Sequence, residues 1–265
     1  MTDIIWHQLP KDLCNLICDY VGKDRIKPWV KAIGPIDYFH LGHNPNALHL
    51  IKDNLEKMNW CVICENPSMI DLIKANRHKK ISIDYLSMNP SALDLLMANF
   101  NEINWVFLSK NSGALPLLKA NPDKIVWHQL SKNTSALNLL LANRDKIDWA
   151  CLCENPSAID LILANKDKIN WYNLSANYKA IDLLEANKDK INWYNLCENI
   201  ASGKLWAENL DKLTGENLYH LSANAGVIDL LELHKDKVNK HTIWENPAIF
   251  EPEVDHYNLL MQVSF

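Results

Sequence analysis

The sequence predicts an all-α protein, an α-solenoid of helix-loop-helix repeats with a period of 22 residues. The first observation is a series of asparagines whose steps are 22 residues except for one of 23 and one of 25: Asn44, Asn66, Asn89, Asn111, Asn133, Asn155, Asn177, Asn199, Asn224 and Asn246. A second series follows ten residues later in eight of the units, at Asn54, Asn76, Asn99, Asn121, Asn143, Asn165, Asn187 and Asn209, with His234 in the ninth place. The third observation is a tryptophan six residues before the next leading asparagine in six units.

The first helix of a unit is clearest after Asn155. Its apolar residues follow the helical period and form one face, at Ala158, Ile159, Leu161 and Ile162. Asn155 followed by Pro156 is typical of a helix start, because asparagine caps the free N–H groups and proline has none to lose. Asn165 predicts the helix end, because asparagine tolerates the left-handed conformation that often closes a helix.

The second helix of the unit is shorter, and Asn170 can cap it. Trp171, Leu174 and Ser175 have the spacing of one helical face, which predicts that they point inward. A structural role is therefore predicted for the tryptophans at this position, Trp60, Trp105, Trp127, Trp149, Trp171 and Trp193. The same position holds Tyr38, Ile83, Leu218 and Lys240 in the other four units.

Helices this short are marginal alone, so stacking of neighbouring units must supply the stability. Helix spacing of about 8–10 Å per layer predicts an elongated body of about 80–100 Å. The alternative fold is a leucine-rich repeat, whose period and Leu-x-x-Asn spacing are similar. The predicted domains are a helical cap over residues 1–36, the tandem repeats over 37–250, and a C-terminal cap or tail over 251–265.

Two resemblances follow from these residues. The unit Asn-Pro-x-Ala-Ile-x-Leu-Leu, continuing to Lys-Ile-x-Trp-x-x-Leu-Ser, resembles the short repeats abundant in proteins of amoeba-infecting giant DNA viruses. This resemblance covers about residues 37–250 and implies a viral protein acting in the host cell or packed in the particle. The segment from Leu9 to Tyr20 is similar to the first helix of an F-box, which implies docking onto a ubiquitin ligase; a plain helical cap explains the same residues.

Composition narrows the function. The net charge of −5 gives no positive field for nucleic acid, so neither DNA nor RNA is an expected partner. We expect no membrane partner and no secretion, because no apolar stretch could span a bilayer and no signal peptide is visible. Seven scattered cysteines fit a reducing compartment, so the expected location is intracellular, in host cytoplasm or nucleus, or in the virion.

No catalytic, cofactor-binding or metal site is predicted. Cys61 and Cys64 have the spacing of a zinc half-site, but Cys64 occupies a position that serines fill in sister units, and no second pair accompanies it. His40 and His43 are likewise interpreted as packing or surface residues. The sequence contains no phosphate-binding glycine loop and no nucleophile motif. We therefore expect no enzyme.

The candidate site is a row of residues just after the tryptophan position, which must point away from the core. Its predicted partner-binding members are Phe107, His128, Tyr172, Tyr194 and Tyr219. The alternative is that each side chain only packs onto the neighbouring unit. Three functions follow: a scaffold that binds an unidentified protein, an F-box-type substrate receptor, and a structural virion component that self-associates through the apolar tail, residues 259–265.

Overall fold

The computed structural model describes residues 26–79 and 81–251. The F-box-like segment and the apolar tail lie outside them. The nineteen α-helices of the described part are α1 Pro28–Ile33, α2 Tyr38–Leu41, α3 Leu48–Lys52, α4 Trp60–Glu65, α5 Ile70–Ala75, α6 Ile83–Met88, α7 Leu93–Ala98, α8 Trp105–Lys110, α9 Leu115–Ala120, α10 Trp127–Lys132, α11 Leu137–Leu141, α12 Trp149–Leu152, α13 Ile159–Leu163, α14 Trp171–Leu174, α15 Ile181–Glu185, α16 Trp193–Leu196, α17 Gly203–Glu208, α18 Gly215–Leu221 and α19 Ile228–Leu233.

Short 3-10 helices precede or follow many of them, at Leu55–Lys57, Pro67–Met69, Phe100–Glu102, Ser112–Ala114, Pro122–Lys124, Arg144–Lys146, Pro156–Ala158, Lys166–Lys168, Tyr178–Ala180, Lys188–Lys190, Leu210–Lys212, Ala225–Val227, Thr242–Glu245 and Pro247–Ile249. The odd-numbered helices from α3 onward are the first helices of the units, and the even-numbered ones are the second helices. The described residues form no strand beyond one isolated bridge between Ile26 and Phe250. The all-α prediction is confirmed, and the leucine-rich-repeat alternative is not supported.

The predicted helix starts are confirmed. The Asn155 side chain accepts a hydrogen bond from the Ser157 N–H at 3.0 Å, where a 3-10 turn opens and continues into α13. Asn170 caps α14 in the same way, by accepting from the Asn173 N–H at 3.1 Å.

The predicted helix end is only partly right. Asn165 does end the first helix, but with φ −130° and ψ 58°, which is not the left-handed conformation. Its side-chain amide instead donates to the Leu161 carbonyl at 2.8 Å. This hydrogen bond satisfies a carbonyl at the helix end directly, so no left-handed residue is needed.

A ladder of leading asparagines joins the units. The Asn155 amide donates to the main-chain oxygens of Asn133 and Ser131, both at 3.0 Å, so each unit is hydrogen-bonded to the one before. The same side chain caps its own first helix, so both of its polar ends are used. All ten leading asparagines are buried and make this bridge. Buried amides are stable only when hydrogen-bonded, which explains why one residue type recurs here.

The ladder closes on itself. The Asn44 amide donates to the Asn246 carbonyl at 2.8 Å and to the Trp244 carbonyl at 3.1 Å, the same geometry as between sequential units. The Lys27 N–H donates to the Ile249 carbonyl at 2.8 Å. The predicted elongated body is therefore wrong: the units form a ring. Ten steps around a full turn need about 36° each, a small rotation per repeat that the sequence pattern does not reveal.

Both ends of the described chain build the tenth unit. Residues 246–250 supply its leading asparagine and first turn, while residues 26–41 supply α1 and α2. Trp29 and Val30 of α1 are buried in the core that continues through the other units. Residues 26–36, which the sequence assigned to a terminal cap, are thus part of the ring.

The second helices lie on the inside of the ring. Neighbouring second helices pack closely, including α4 with α6, α6 with α8 and α8 with α10, whereas the first helices of adjacent units have no comparable contacts within the described residues. The chain also comes very close to itself just after the leading asparagines, where a Cβ on Gly113 would overlap the Pro90 carbonyl oxygen. Neighbouring units of a ring are closest together on its inner side, so these close contacts place the second helices there.

The tryptophans occupy the predicted position but are only partly buried. The leucine three residues later is fully buried, as with Leu174, while Trp171 packs against the core with part of its ring exposed. Lysines of the following units lie over several of these rings, for example the Lys168 Nζ at 4.2 Å from the centre of the Trp149 ring. The tryptophans therefore seal the edge of the core rather than fill its centre.

Candidate functional site

The inner face of the ring is formed by four positions in each unit. These are the two residues after the tryptophan position, the residue before the next leading asparagine, and the residue after that asparagine. One groove is lined by all of these positions together, with Tyr219 and His220, Glu245, and Pro247 as examples. The helix side that carries them is opposite the buried leucine and serine, so it borders the central opening.

Exposed aromatic side chains are concentrated on this face. Of the large hydrophobic residues that the described chain exposes, the phenylalanines and tyrosines on the inner face are Phe39, Tyr85, Phe107, Tyr172, Tyr178, Tyr194 and Tyr219. Among the exposed phenylalanines and tyrosines of the described chain, only Phe100 lies elsewhere, in a 3-10 turn between two helices. Tyr172 is 54% exposed, which is high for a tyrosine on a packed helix.

The structure brings the predicted site residues onto one surface. Phe107, Tyr172, Tyr194 and Tyr219 are exposed there, and His128 is exposed at the equivalent position. Sequence reasoning missed Tyr85 and Tyr178, which also belong to the face. Tyr178 follows a leading asparagine where five of the ten units have proline, and that difference was the signal available in the sequence.

Some of these residues also pack between units. The Tyr194 hydroxyl lies 2.9 Å from the His220 Nε2, and the two rings meet edge to face at 4.8 Å. Tyr172 has no such ring contact in the described chain, although its carbonyl accepts a hydrogen bond from the Asn195 amide at 2.8 Å. Packing across units therefore applies to Tyr194, while the Tyr172 ring remains free on the surface.

A groove of about 310 Å³ interrupts the inner face near the C-terminal end of the described chain. Its walls include Glu198, Tyr219, Thr242 and Glu245. It lies between consecutive units and is also lined by the residues that follow three leading asparagines, Ile200, Ala225 and Pro247.

A cluster of histidines and carboxylates lies where residues 37–43 meet residues 241–245. The His241 Nδ1 lies 2.8 Å and the His40 Nδ1 3.1 Å from the same oxygen of Asp37. Partial burial would raise the pKa of Asp37, but the His241 hydrogen bond, the nearby His40 ring and the His40 backbone N–H outweigh it and hold that pKa below its ordinary value. These polar contacts add to the asparagine ladder in joining the two ends of the described chain.

Three cysteines of the described chain have a structural role. Cys64, Cys153 and Cys197 are buried at the position where sister units carry serine. The Cys153 sulfur accepts the Asn170 N–H at 3.3 Å, as the Ser131 hydroxyl accepts the Asp148 N–H at 3.1 Å. The small inward position predicted from the sequence is confirmed.

Burial suppresses the reactivity of these thiols. It raises the pKa of Cys64 and Cys153 and brings that of Cys197 to about 12. In the part of the chain that the structure describes, no three histidine, cysteine or acidic side chains are grouped to hold a metal ion.

Comparisons with protein-family models, curated proteins and solved structures found no match for this chain. No helix between residues 26 and 251, leaving out residue 80, is long and apolar enough to cross a membrane. What the fold and the site define is a closed helical repeat ring with an aromatic inner face.

Proposed function

We propose that the protein binds a segment of another protein on the inner face of the ring, and acts as a scaffold rather than as an enzyme. The observation that carries the proposal is the concentration of exposed aromatic residues on this face. Exposed tyrosines bring a large contact area and a polar end at small entropic cost, which is why binding surfaces favour them.

The size of the opening is consistent with this role. Ten helices spaced by about 8–10 Å would place their axes about 13–16 Å from the ring axis. Subtracting about 5–6 Å for the helix and its side chains leaves an opening about 15–20 Å wide. An extended segment or a single helix of a partner fits such a space, whereas a whole domain does not.

The other two hypotheses stay predictions. The ligase-receptor function depends on residues 9–20 and the virion-component function on residues 259–265, and both segments lie outside the described residues. The viral origin implied by the repeat resemblance also stays a prediction.

The test compares what the full chain captures with and without the aromatic row. The immobilised protein and its Tyr172→Ala, Tyr194→Ala double variant are incubated with the same cell lysate, and retained proteins are quantified by mass spectrometry. The matched control is Asp160→Asn with Asp182→Asn, two exposed positions on first helices of the same units. We expect a protein retained by the parent and the control to drop by about tenfold or more with the double variant.

Both variants should unfold within a few degrees of the parent, which thermal melting checks. Retention of the same proteins by all three chains would show that the inner aromatic row is not the docking surface.

A further inference from the structure

The groove on the inner face has an unbalanced charge. Glu198 and Glu245 both line it, and no lysine or arginine is among its lining residues. Elsewhere in the described chain, lysines lie close to exposed carboxylates, as with Lys188 and Glu208 at 2.8 Å. The groove therefore carries two carboxylates, and its only basic lining residue among the described ones is His220.

Glu198 shows most clearly why negative charge in the groove stays unpaired. At the same position two units earlier, Glu154 forms an ion pair of 2.8 Å with Lys132 of the preceding unit. The residues at this position on either side of Glu198 are Ala176 and Ala223, so neither neighbour supplies a cation. The charge of Lys132, three units back, also acts on Glu198, but Lys132 is itself paired with Glu154 at 2.8 Å. Within the described residues, the Glu198 side chain has no hydrogen bond or ion pair.

Glu245 is more enclosed. Burial is the main cause that raises its pKa above the ordinary value, against the opposing effect of His43 and His40. The His40 Nε2 lies 3.8 Å from the Glu245 carboxylate, which is too long for a hydrogen bond. A cation entering the groove would therefore gain a carboxylate that water screens only partly.

Tyr219 adds an aromatic surface to the same groove. Its ring is exposed and meets His220 edge to face at 5.2 Å. The fold places lysines over aromatic rings at several other units, such as Lys146 over Trp127 at 4.5 Å, but in the described part of the chain none lies over Tyr219. An aromatic face beside carboxylates is the environment that a guanidinium group favours.

We propose that this groove receives an arginine side chain of the partner protein, paired with Glu198 and Glu245 and stacked on Tyr219. The inference rests on the proposed function and specifies the chemistry of the partner segment at one place on the inner face. Arginine fits better than lysine, because its planar group can form two hydrogen bonds to a carboxylate while its face lies on a ring.

The test uses the full chain and a fluorescein-labelled peptide of alternating arginine and glycine, with binding followed by fluorescence anisotropy at about 150 mM salt. We expect the Glu198→Gln, Glu245→Gln double variant to bind about tenfold or more weakly than the parent. Glu154→Gln is the matched control, since its carboxylate is already paired, and its affinity should stay within about twofold. A peptide with citrulline in place of arginine should bind as weakly to the parent as the arginine peptide does to the double variant.

If Glu154→Gln loses as much peptide affinity as the double variant, the peptide is held by general charge attraction and the inference is overturned. It is also overturned if the parent binds the citrulline peptide as tightly as the arginine peptide. Glu198→Gln alone leaves the closing contact untouched, so weaker peptide binding by this single variant supports the arginine site even where Glu245→Gln disturbs folding, and unchanged binding overturns it. If lysate capture depends on Tyr172 and Tyr194 but not on the two glutamates, the proposed function stands and only the arginine site fails.

Discussion

At the scale of single residues, the leading asparagine is the side chain on which the ring most depends. Asn155 accepts one hydrogen bond within its own unit and donates two to the preceding one, while it is fully buried. The sequence showed its periodic spacing and its cap, but not the bridge between units. A bridge of this kind depends on where neighbouring carbonyls lie, which a repeat pattern alone does not specify.

Asn155→Ala should lower the free energy of unfolding by about 2–4 kcal/mol, because it removes three hydrogen bonds and leaves buried carbonyls unpaired. The matched control is Asn165→Ala, which removes one half-buried hydrogen bond to Leu161 and should cost about 1 kcal/mol. Urea unfolding of both variants measures the difference. Equal costs would contradict the bridging role of the ladder.

Cys197 gives a prediction about alkaline pH. Burial raises its pKa to about 12 in the folded chain, whereas an exposed thiol titrates near about 8.5. The unfolded chain therefore loses this proton first as the pH rises. The contribution of the Cys197 thiol to the free energy of unfolding is complete below about pH 8.5 and falls above it.

Cys197→Ser, which introduces the residue of sister units, should remove this part of the alkaline loss. The unfolding free energies of variant and parent are compared at pH 7 and at pH 10. Between these two pH values the difference should shift by about 1–2 kcal/mol in favour of the variant. Urea unfolding at the two pH values measures it. An unchanged difference would show that the Cys197 thiol is not protected by burial.

At the scale of elements, the sequence predicted the helices well and their packing less well. The caps at Asn155 and Asn170 and the inward Leu174 are confirmed, because each follows from hydrogen bonding or periodicity within one unit. The prediction of a left-handed conformation at Asn165 was wrong, since a side-chain hydrogen bond closes the helix without it. The partial exposure of Trp171 also went unforeseen, because it depends on where the next unit lies.

Trp149→Ala should cost about 2–4 kcal/mol, somewhat below the loss for a fully buried aromatic residue, because part of its ring faces the lysine of the next unit. Lys168→Ala removes only that cation and should cost less than about 1 kcal/mol. Thermal unfolding of both variants tests this. A loss below about 1 kcal/mol for Trp149→Ala would mean that the tryptophans contribute little to the core.

At the scale of the whole molecule, the ring is the main feature that the sequence did not predict. Identical spacings of Asn44 and its successors suit a straight array and a closed one equally well. The array closes because second helices pack more closely on one another than first helices do, and this depends on three-dimensional contacts. The candidate site was easier to predict, because the exposed side of a helix such as α14 follows from its buried side.

Closure is tested most directly by distances between spin labels at equivalent exposed positions of the first helices. The pairs are Lys52 with Met97, two units onward along the chain, and Lys52 with Glu232, two units away across the closing contact. Labels introduced as unnatural amino acids leave the native cysteines unmodified. Leu163, five units from Lys52, provides the opposite side of the ring as a reference.

A closed ring predicts that the Lys52–Glu232 distance equals the Lys52–Met97 distance within the spread of the labels, and that both are shorter than the Lys52–Leu163 distance. An open array predicts the reverse order, because about eight layers of about 8–10 Å would then separate Lys52 from Glu232. A Lys52–Glu232 distance longer than Lys52–Leu163 would contradict the ring.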